Sequence, residues 1–329
     1  MANTKRLLIR ADADQAMGTG HIMRCLVLAD AWVKQGGEVL LLSYCQNPAL
    51  IQRIQQVAEF QLLNSAATDL VQTLAAIKHY QSAYCLLDGY HFDSTYQQSL
   101  SLMPIKLLIV DDMAHCAYYY ADIILNQNFA AEKFHYACAE STQLLLGLKY
   151  ALLRPEFMPF VADKTRAVPA QARKLLITLG GSDPDNVTAK VIKALVGLKA
   201  DWSVKIVVGA ANPNYVDLLE LLKSEPNYEL LSDVKNMAEL MAWSDLAISA
   251  AGSTVCELLA VGVPSLLIVL AENQRHIAEQ LSCNQVVKNM GWYKNLEAIY
   301  IKYQLLVIAN DFDKRQSMIS KGRDKIDGF

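Results

Sequence analysis

The sequence predicts an α/β protein of two doubly wound parallel-sheet domains facing each other across a cleft. Three observations predict it. Short apolar runs alternate with longer helical patterns along all 329 residues, the alternation recurs in both halves, and a proline-bearing stretch separates them. A chain of this length suits two ordinary domains better than one very large one.

In the first half the strand-like runs are 6–10, 39–44, 84–88, 107–111 and 122–125, with helical patterns at 20–35, 48–57 and 69–81. In the second half strands are expected at 174–179, 204–208, 246–249 and 265–270, and helices at 186–198, 215–223, 236–243 and 253–261. Between them lie Arg154-Pro155-Glu156-Phe157-Met158-Pro159 and a polar stretch, 164–173, that includes Pro169. Prolines and charges there mark the linker, which gives domains of 1–157 and 170–329. The last helical patterns, from Asn295 onward, fit against either domain.

Composition narrows the function classes. Hydrophobic residues at 53% and charged residues at 19% allow a sizeable core. A net charge of −3 argues against a nucleic acid as the main partner, so phosphate contacts are expected to be local. The N-terminus lacks the apolar core of a secretory signal, and the densest apolar stretch, 263–271, falls short of the about 20 residues that cross a bilayer. Seven cysteines without a C-x-x-C pair suggest reduced thiols in a cytoplasmic protein, with neither a zinc site nor a membrane partner.

The most informative motif follows the first strand. A polar loop carrying Asp12 and Asp14 narrows to Gly18-Thr19-Gly20 and delivers His21 to the first turn of a helix. Open α/β sheets bind ligands outside the carboxyl ends of their strands, and exposed amides at a helix start favour anions and disfavour an imidazolium. There His21 can act as a general base, Asp12 and Asp14 can orient its ring, and Arg24 can meet a phosphate. A polar residue at a helix start is the plainer reading. Met23 stands where the dinucleotide fingerprint needs its third glycine, so NAD is disfavoured and no cofactor is expected.

Further motifs close other strands. Gly180-Gly181-Ser182-Asp183-Pro184 suits a backbone that approaches a phosphate or sugar, or an ordinary Asp-Pro helix start. Gly252, Ser253 and Thr254 open a helix as a diphosphate cradle, and Glu257, one turn on, can take both hydroxyls of a ribose; close packing explains the small residues as well. Asp88-Gly89-Tyr90-His91 and Asp111-Asp112 end strands of the first half at their carboxyl side, as functional groups or as solvated loop residues.

Taken in order, Arg10-Ala-Asp12, Gly18-Thr-Gly-His21-Ile-Met-Arg24, Asp88-Gly-Tyr90, Asp111-Asp112, Tyr150-Ala-Leu-Leu-Arg154-Pro-Glu-Phe157, Gly180 to Pro184, Ser249 to Thr254 with Glu257, and Glu272-Asn273-Gln274 look familiar. The chain resembles the UDP-2,4-diacetamido-2,4,6-trideoxy-β-L-altropyranose hydrolases of pseudaminic acid biosynthesis from Arg10 to Gln274. The resemblance implies a glycosyltransferase-B-like fold of two Rossmann-like domains with UDP held by the C-terminal one. It places the diphosphate at Gly252, Ser253 and Thr254, the ribose at Glu257, uracil at the 234–237 loop ending in Met237, and sugar or phosphate at Asn273 and Gln274. It makes His21 the base that activates water at the anomeric carbon and puts Tyr90 near the sugar. Asp12, Gly18, Gly20, Arg24, Gly181 and Ser182 complete the expected substrate-binding set. The implied reaction is metal-independent and inverting, with a UDP-sugar and water as the only partners. Asp14 departs from the small hydroxyl residue expected there, and the chain stops at Phe329, earlier than the resemblance suggests. The rival readings are a UDP-sugar glycosyltransferase, for which no basic membrane-docking patch is seen, a non-catalytic sugar-nucleotide sensor, which leaves His21 unexplained, and a UDP-sugar 2-epimerase, which needs more acid–base groups.

Overall fold

A computed structural model describes residues 5–14, 18–163, 165–181, 183–198, 201–209, 212–232 and 234–326. Ser182 and part of the loop before His21 (15–17) lie outside the described residues. The chain forms two compact units, Met1–Leu152 and Leu153–Phe329.

In the first unit the elements run β1 (Arg6–Ala11), α1 (Gly20–Lys34), β2 (Glu38–Ser43), α2 (Pro48–Gln55), β3 (Glu59–Leu62), α3 (Asp69–Tyr80), β4 (Tyr84–Asp88), α4 (Ser94–Ser101), β5 (Lys106–Val110), β6 (Ile123–Asn126) and β7 (Gln143–Leu146). The strands make one parallel sheet in the order β3-β2-β1-β4-β5-β6-β7. The inner strands are apolar on both faces because helices cover both. Leu7, Ile9 and Ala11 of β1 pack with Ile22, Cys25 and Leu26 of α1. Leu8 belongs to the core on the other face, with Ala76 and Ile77 of α3.

In the second unit α5 (Met158–Ala162) precedes β8 (Lys174–Thr178), α6 (Val187–Leu195), β9 (Ser203–Val208), α7 (Tyr215–Leu222), β10 (Tyr228–Ser232), α8 (Met237–Trp243), β11 (Leu246–Ala250), α9 (Thr254–Val261), β12 (Ser265–Val269), α10 (Arg275–Cys283), β13 (Lys288–Trp292), α11 (Ala298–Asn310) and α12 (Phe312–Arg323). Its parallel sheet runs β10-β9-β8-β11-β12-β13. Strand order therefore reverses between β1 and β4 in one unit and between β8 and β11 in the other, the positions where such sheets open a crevice.

Several expected elements shift by a residue or two, and four strands went unforeseen. These four, β3, β7, β10 and β13, are the edges of the two sheets. Residues 153–157, expected at the end of the first domain, pack with the second unit, where Arg154 pairs with Glu156 and Glu257. The last two helices also belong to that unit. Buried Arg315 of α12 fastens the linker to α11 by donating to the carbonyls of Ala170 at 3.1 Å and Ile308 at 2.9 Å.

Candidate active site

The carboxyl ends of β1, β4 and β5 carry a concentration of buried charge in the first unit. His21 enters on the first turn of α1, and Arg24 follows one turn later on the same helix face. The chain reaches that helix through Gly18, whose φ of +77° favours glycine and whose amide donates to the Asp14 carbonyl at 2.9 Å. Gly20 is the first helical residue.

Asp88, fully buried at the end of β4, organises the group. Its Oδ1 lies 2.6 Å from His21 Nδ1. Arg24 donates to both of its oxygens, from Nε to Oδ2 and from Nη2 to Oδ1, each at 2.6 Å. Arg24 Nη1 then reaches Asp112 at 2.9 and 2.8 Å. The Tyr90 hydroxyl donates to Asp112 Oδ2 at 3.0 Å and Asn128 Nδ2 to Oδ1 at 2.9 Å. The Tyr90 ring meets His21 edge-on, with centroids 5.2 Å apart. Burial alone would raise the Asp88 carboxyl. The charge and hydrogen bonds of Arg24, with the bond to His21, outweigh it and hold the carboxyl well below its ordinary range. Asp88 accepts from His21 Nδ1 only if that nitrogen carries its proton, which leaves Nε2 with the basic lone pair.

This corrects the expected partner of the imidazole, which is Asp88 and not Asp12 or Asp14. Strand pleating explains the difference. Arg10 and Asp12 follow Leu8 in parity and point to the α3 face, whereas Asp88 follows Leu86 and points to the α1 face. Asp12 Oδ1 accepts there from Arg10 Nη1 at 2.6 Å and the Tyr44 amide at 2.8 Å, and Oδ2 lies 3.3 Å from His91 Nε2. Asp14 is exposed. The same parity separates neighbours: Asp112 joins Arg24, while Asp111 turns to the other face.

On that face Asp111 is saturated by donors. Its Oδ1 accepts the amides of Met113 and Ala114 at 2.6 and 2.7 Å, and its Oδ2 accepts the Tyr119 hydroxyl at 2.5 Å and lies 2.7 Å from His115 Nδ1. The hydrogen bond to Asp111, followed by that to Cys116, raises the His115 imidazole to about 10. The ring stands edge-on to Tyr90, with centroids 6.0 Å apart. Sequence reasoning missed His115, and its spacing of four from Asp111 was the available signal.

The second unit offers mainly backbone at its switch point. After β11 the chain passes Ala251 and Gly252, and Ser253 precedes the first residue of α9, Thr254. A Cβ on Gly252 would lie 3.8 Å from Gln274 Nε2, so Gln274 stands over this turn, anchored by accepting the Leu270 amide at 3.0 Å. Asn273 shares the same short turn, 272–274. Glu257 accepts from Arg154 Nε at 2.9 Å, a role for Arg154 that no spacing signalled. Met237 opens α8, whose first turn is capped by Asn236 accepting the Glu239 amide at 3.2 Å.

The Gly180-Gly181 turn has a structural task as well. The Gly181 carbonyl accepts from the Gly209 amide at 3.2 Å, and a Cβ on Gly209 would collide with it. Asp183 supplements Asn186, the N-cap of α6, by accepting the amides of Val187 and Thr188, each at 2.8 Å. Among the described residues no cluster of three or more His, Cys, Asp or Glu is arranged to hold a metal ion, and no helix is long and apolar enough to cross a membrane.

Residues 175–322 match the glycosyltransferase family 28 C-terminal domain. The UDP-2,4-diacetamido-2,4,6-trideoxy-β-L-altropyranose hydrolase of Campylobacter jejuni is 26% identical over 283 residues, covering 84% of this chain and 96% of the hydrolase. The resemblance to that hydrolase family holds. An uncharacterized protein of Methanocaldococcus jannaschii is 27% identical over 277 residues, 82% of this chain, and the chain spans only 57% of its length. Among solved structures, MurG of Acinetobacter baumannii aligns with a TM-score of 0.66 at 15% identity, over 98% of this chain and 95% of its own. That likeness gives the fold, which is glycosyltransferase-B-like with two Rossmann-like domains.

Proposed function

We propose that the protein hydrolyses UDP-2,4-diacetamido-2,4,6-trideoxy-β-L-altropyranose to UDP and the free sugar. The observation that carries this reading is the His21–Asp88 pair, with 2.6 Å between Nδ1 and Oδ1, which orients an imidazole whose Nε2 can take a proton. The Campylobacter hydrolase's similarity over nearly its whole length supports the choice of substrate.

In the proposed reaction His21 Nε2 removes a proton from water as the water oxygen bonds to the anomeric carbon. The bond from that carbon to the β-phosphate oxygen breaks, its electron pair leaves with UDP, and the anomeric centre inverts. The second unit carries the nucleotide: Gly252, Ser253 and Thr254 face the diphosphate, Glu257 the ribose, Met237 and its loop the uracil, and Asn273, Gln274, Gly181 and Ser182 the phosphate or sugar. First-turn amides of α9 receive the charge of the leaving group, so neither a protonating acid nor a metal is required. Tyr90 flanks the sugar, and Arg24 keeps Asp88 ionised and in place. Asp12, Gly18 and Gly20 shape the same carboxyl edge, and the reaction belongs in the cytoplasm, where nucleotide sugars are available.

The family 28 match favours one second reading, transfer of the sugar to an acceptor. Proton NMR of the protein with the UDP-sugar and EDTA separates them. Release of UDP and a free sugar that first appears as the α-anomer is the expected result. A bound but intact substrate would favour the transferase, and absence of binding would overturn both readings.

A further inference from the structure

The face of the first sheet opposite His21 opens into a cavity of about 430 Å³. Asp12, Tyr44 and His91 form its polar end, and Ala66, Ala67 and Leu70 form an apolar wall. It adjoins the candidate active site through the loop after β4, in which Tyr90 turns towards His21 and His91 turns towards Asp12. Gly89 permits this divergence, because a Cβ there would come within 2.8 Å of the His91 ring.

The polar end offers hydrogen-bonding groups of both kinds, a carboxylate that accepts and a phenol that can donate. Arg10, fully buried, divides its guanidinium between Asp69 at 2.7 Å and Asp12 at 2.6 Å, so one cation serves two carboxylates and Asp12 keeps acceptor capacity for a donor. Burial, followed by the charge of Arg10, lowers the His91 pKa below the ordinary imidazole value. Asp12 Oδ1 accepts from Arg10, the Tyr44 amide and, at 3.3 Å, the Ser43 hydroxyl, whereas Oδ2 faces His91. The Tyr44 hydroxyl is buried beside the Arg10 guanidinium and makes no well-formed hydrogen bond. Buried polar atoms in this condition call for a ligand group that completes them.

We propose that this cavity is the subsite that recognises an N-acetyl substituent of the sugar. The amide N–H donates to Asp12 Oδ2, the amide carbonyl accepts from the Tyr44 hydroxyl, and the methyl group rests against Ala66, Ala67 and Leu70. The proposal rests on the hydrolase reading for its substrate and adds a basis for selecting acylated amino sugars: a free ammonium has neither the carbonyl nor the methyl, and a longer acyl chain meets the wall.

The test uses the full chain and three UDP-sugars: the diacetamido compound and its analogues with propanoyl in place of acetyl at C2 or at C4. One added methylene against an apolar wall costs about 10- to 200-fold in kcat/KM, and that loss is expected for one of the two analogues. Leu70→Ala should recover most of it for that analogue alone. Equal turnover of all three compounds by the wild type, or a preference that Leu70→Ala leaves unmoved, overturns the subsite. If the diacetamido compound is not hydrolysed, the hydrolase reading fails by itself, and saturation-transfer NMR with the free 2,4-diacetamido-2,4,6-trideoxy sugar decides the subsite. Acetyl-methyl saturation that Ala67→Leu abolishes supports it; saturation unchanged by Ala67→Leu, or absent from the wild type, overturns it.

Discussion

The two switch points share a topology and differ in what occupies them. Between β1 and β4 the chain places His21, Arg24, Asp88 and Asp112, all buried and mutually bonded. Between β8 and β11 it places glycines, alanines and Ser253, and the groups on offer are backbone amides at the start of α9. The proposed proton transfer needs a side chain held at a fixed angle, and a first site braced by charge suits it. The proposed diphosphate binding needs close approach to the main chain, and a second site stripped of bulk suits that. The contrast predicts that substitutions at the first site lower kcat and substitutions at the second raise KM.

Asp88→Ala should break this contrast most severely, because it removes the orienting partner of His21 and one of the two counter-charges of Arg24. Removing one member of a buried ion pair costs about 3–5 kcal/mol, measurable by urea unfolding, and turnover should fall with it. Unaltered stability would show that Arg24 finds its compensation at Asp112. The ionised carboxylate also sets the acid limit. Its folded pKa lies below the unfolded one, so its stabilisation is present above the ordinary carboxyl range of about 4 and is lost as pH falls through the lower folded value. Unfolding midpoints that drop between pH 7 and 5 in wild type but not in Asp88→Ala would contradict the assignment.

His21→Ala removes the base and leaves the second site intact. Loss of general base catalysis is worth about 10²- to 10⁴-fold in kcat, with UDP affinity by calorimetry unchanged. A variant that hydrolyses at nearly the wild-type rate would remove His21 from the mechanism.

The legible part of this molecule was its interior. Inner strands such as β5 and β12 carry continuous apolar runs because both faces are covered, and their sequence says so. The edge strands β3 and β7 have one neighbour and exposed residues, and Glu59-Phe60-Gln61-Leu62 reads as loop. His21 and Arg24 were legible from glycines and helical spacing. Their partner was not, since Asp88 lies 67 residues away and meets them only once β4 has paired beside β1. The carboxylates at strand ends needed parity as well: Asp111 and Asp112 are adjacent in sequence and serve opposite faces. Asp183 shows the converse, a residue in an apparent phosphate turn whose carboxylate accepts amides at the start of α6.

Glu257→Ala tests the other side of the contrast. Its carboxylate is assigned to the ribose and is held by Arg154 in this structure. Hydrogen bonds to a charged group contribute about 1.5–3 kcal/mol, so UDP affinity should weaken roughly 10- to 100-fold while kcat at saturation changes little. An equal loss in kcat would mean that the second site also shapes the transition state, and the division of labour would fail.

The smallest effect on turnover is expected from His115, which meets the His21 network only at the edge of the Tyr90 ring, and its signature lies in stability. The pKa of about 10, raised first by the bond to Asp111, makes this imidazole cationic in the folded protein at neutral pH. A group with a raised folded pKa stabilises fully below its unfolded value of about 6.5, and that contribution disappears as pH rises through the folded value. Other groups titrate in the same window, so the informative quantity is the difference in unfolding free energy between wild type and His115→Asn. It should be largest below pH 6.5 and shrink steadily towards pH 10. A difference independent of pH would mean that His115 contributes by packing against Tyr90 and Tyr119 and not by its charge. The buried carboxylates would then divide cleanly, with the one beside His21 tied to ionisation and the one on the opposite face tied only to shape.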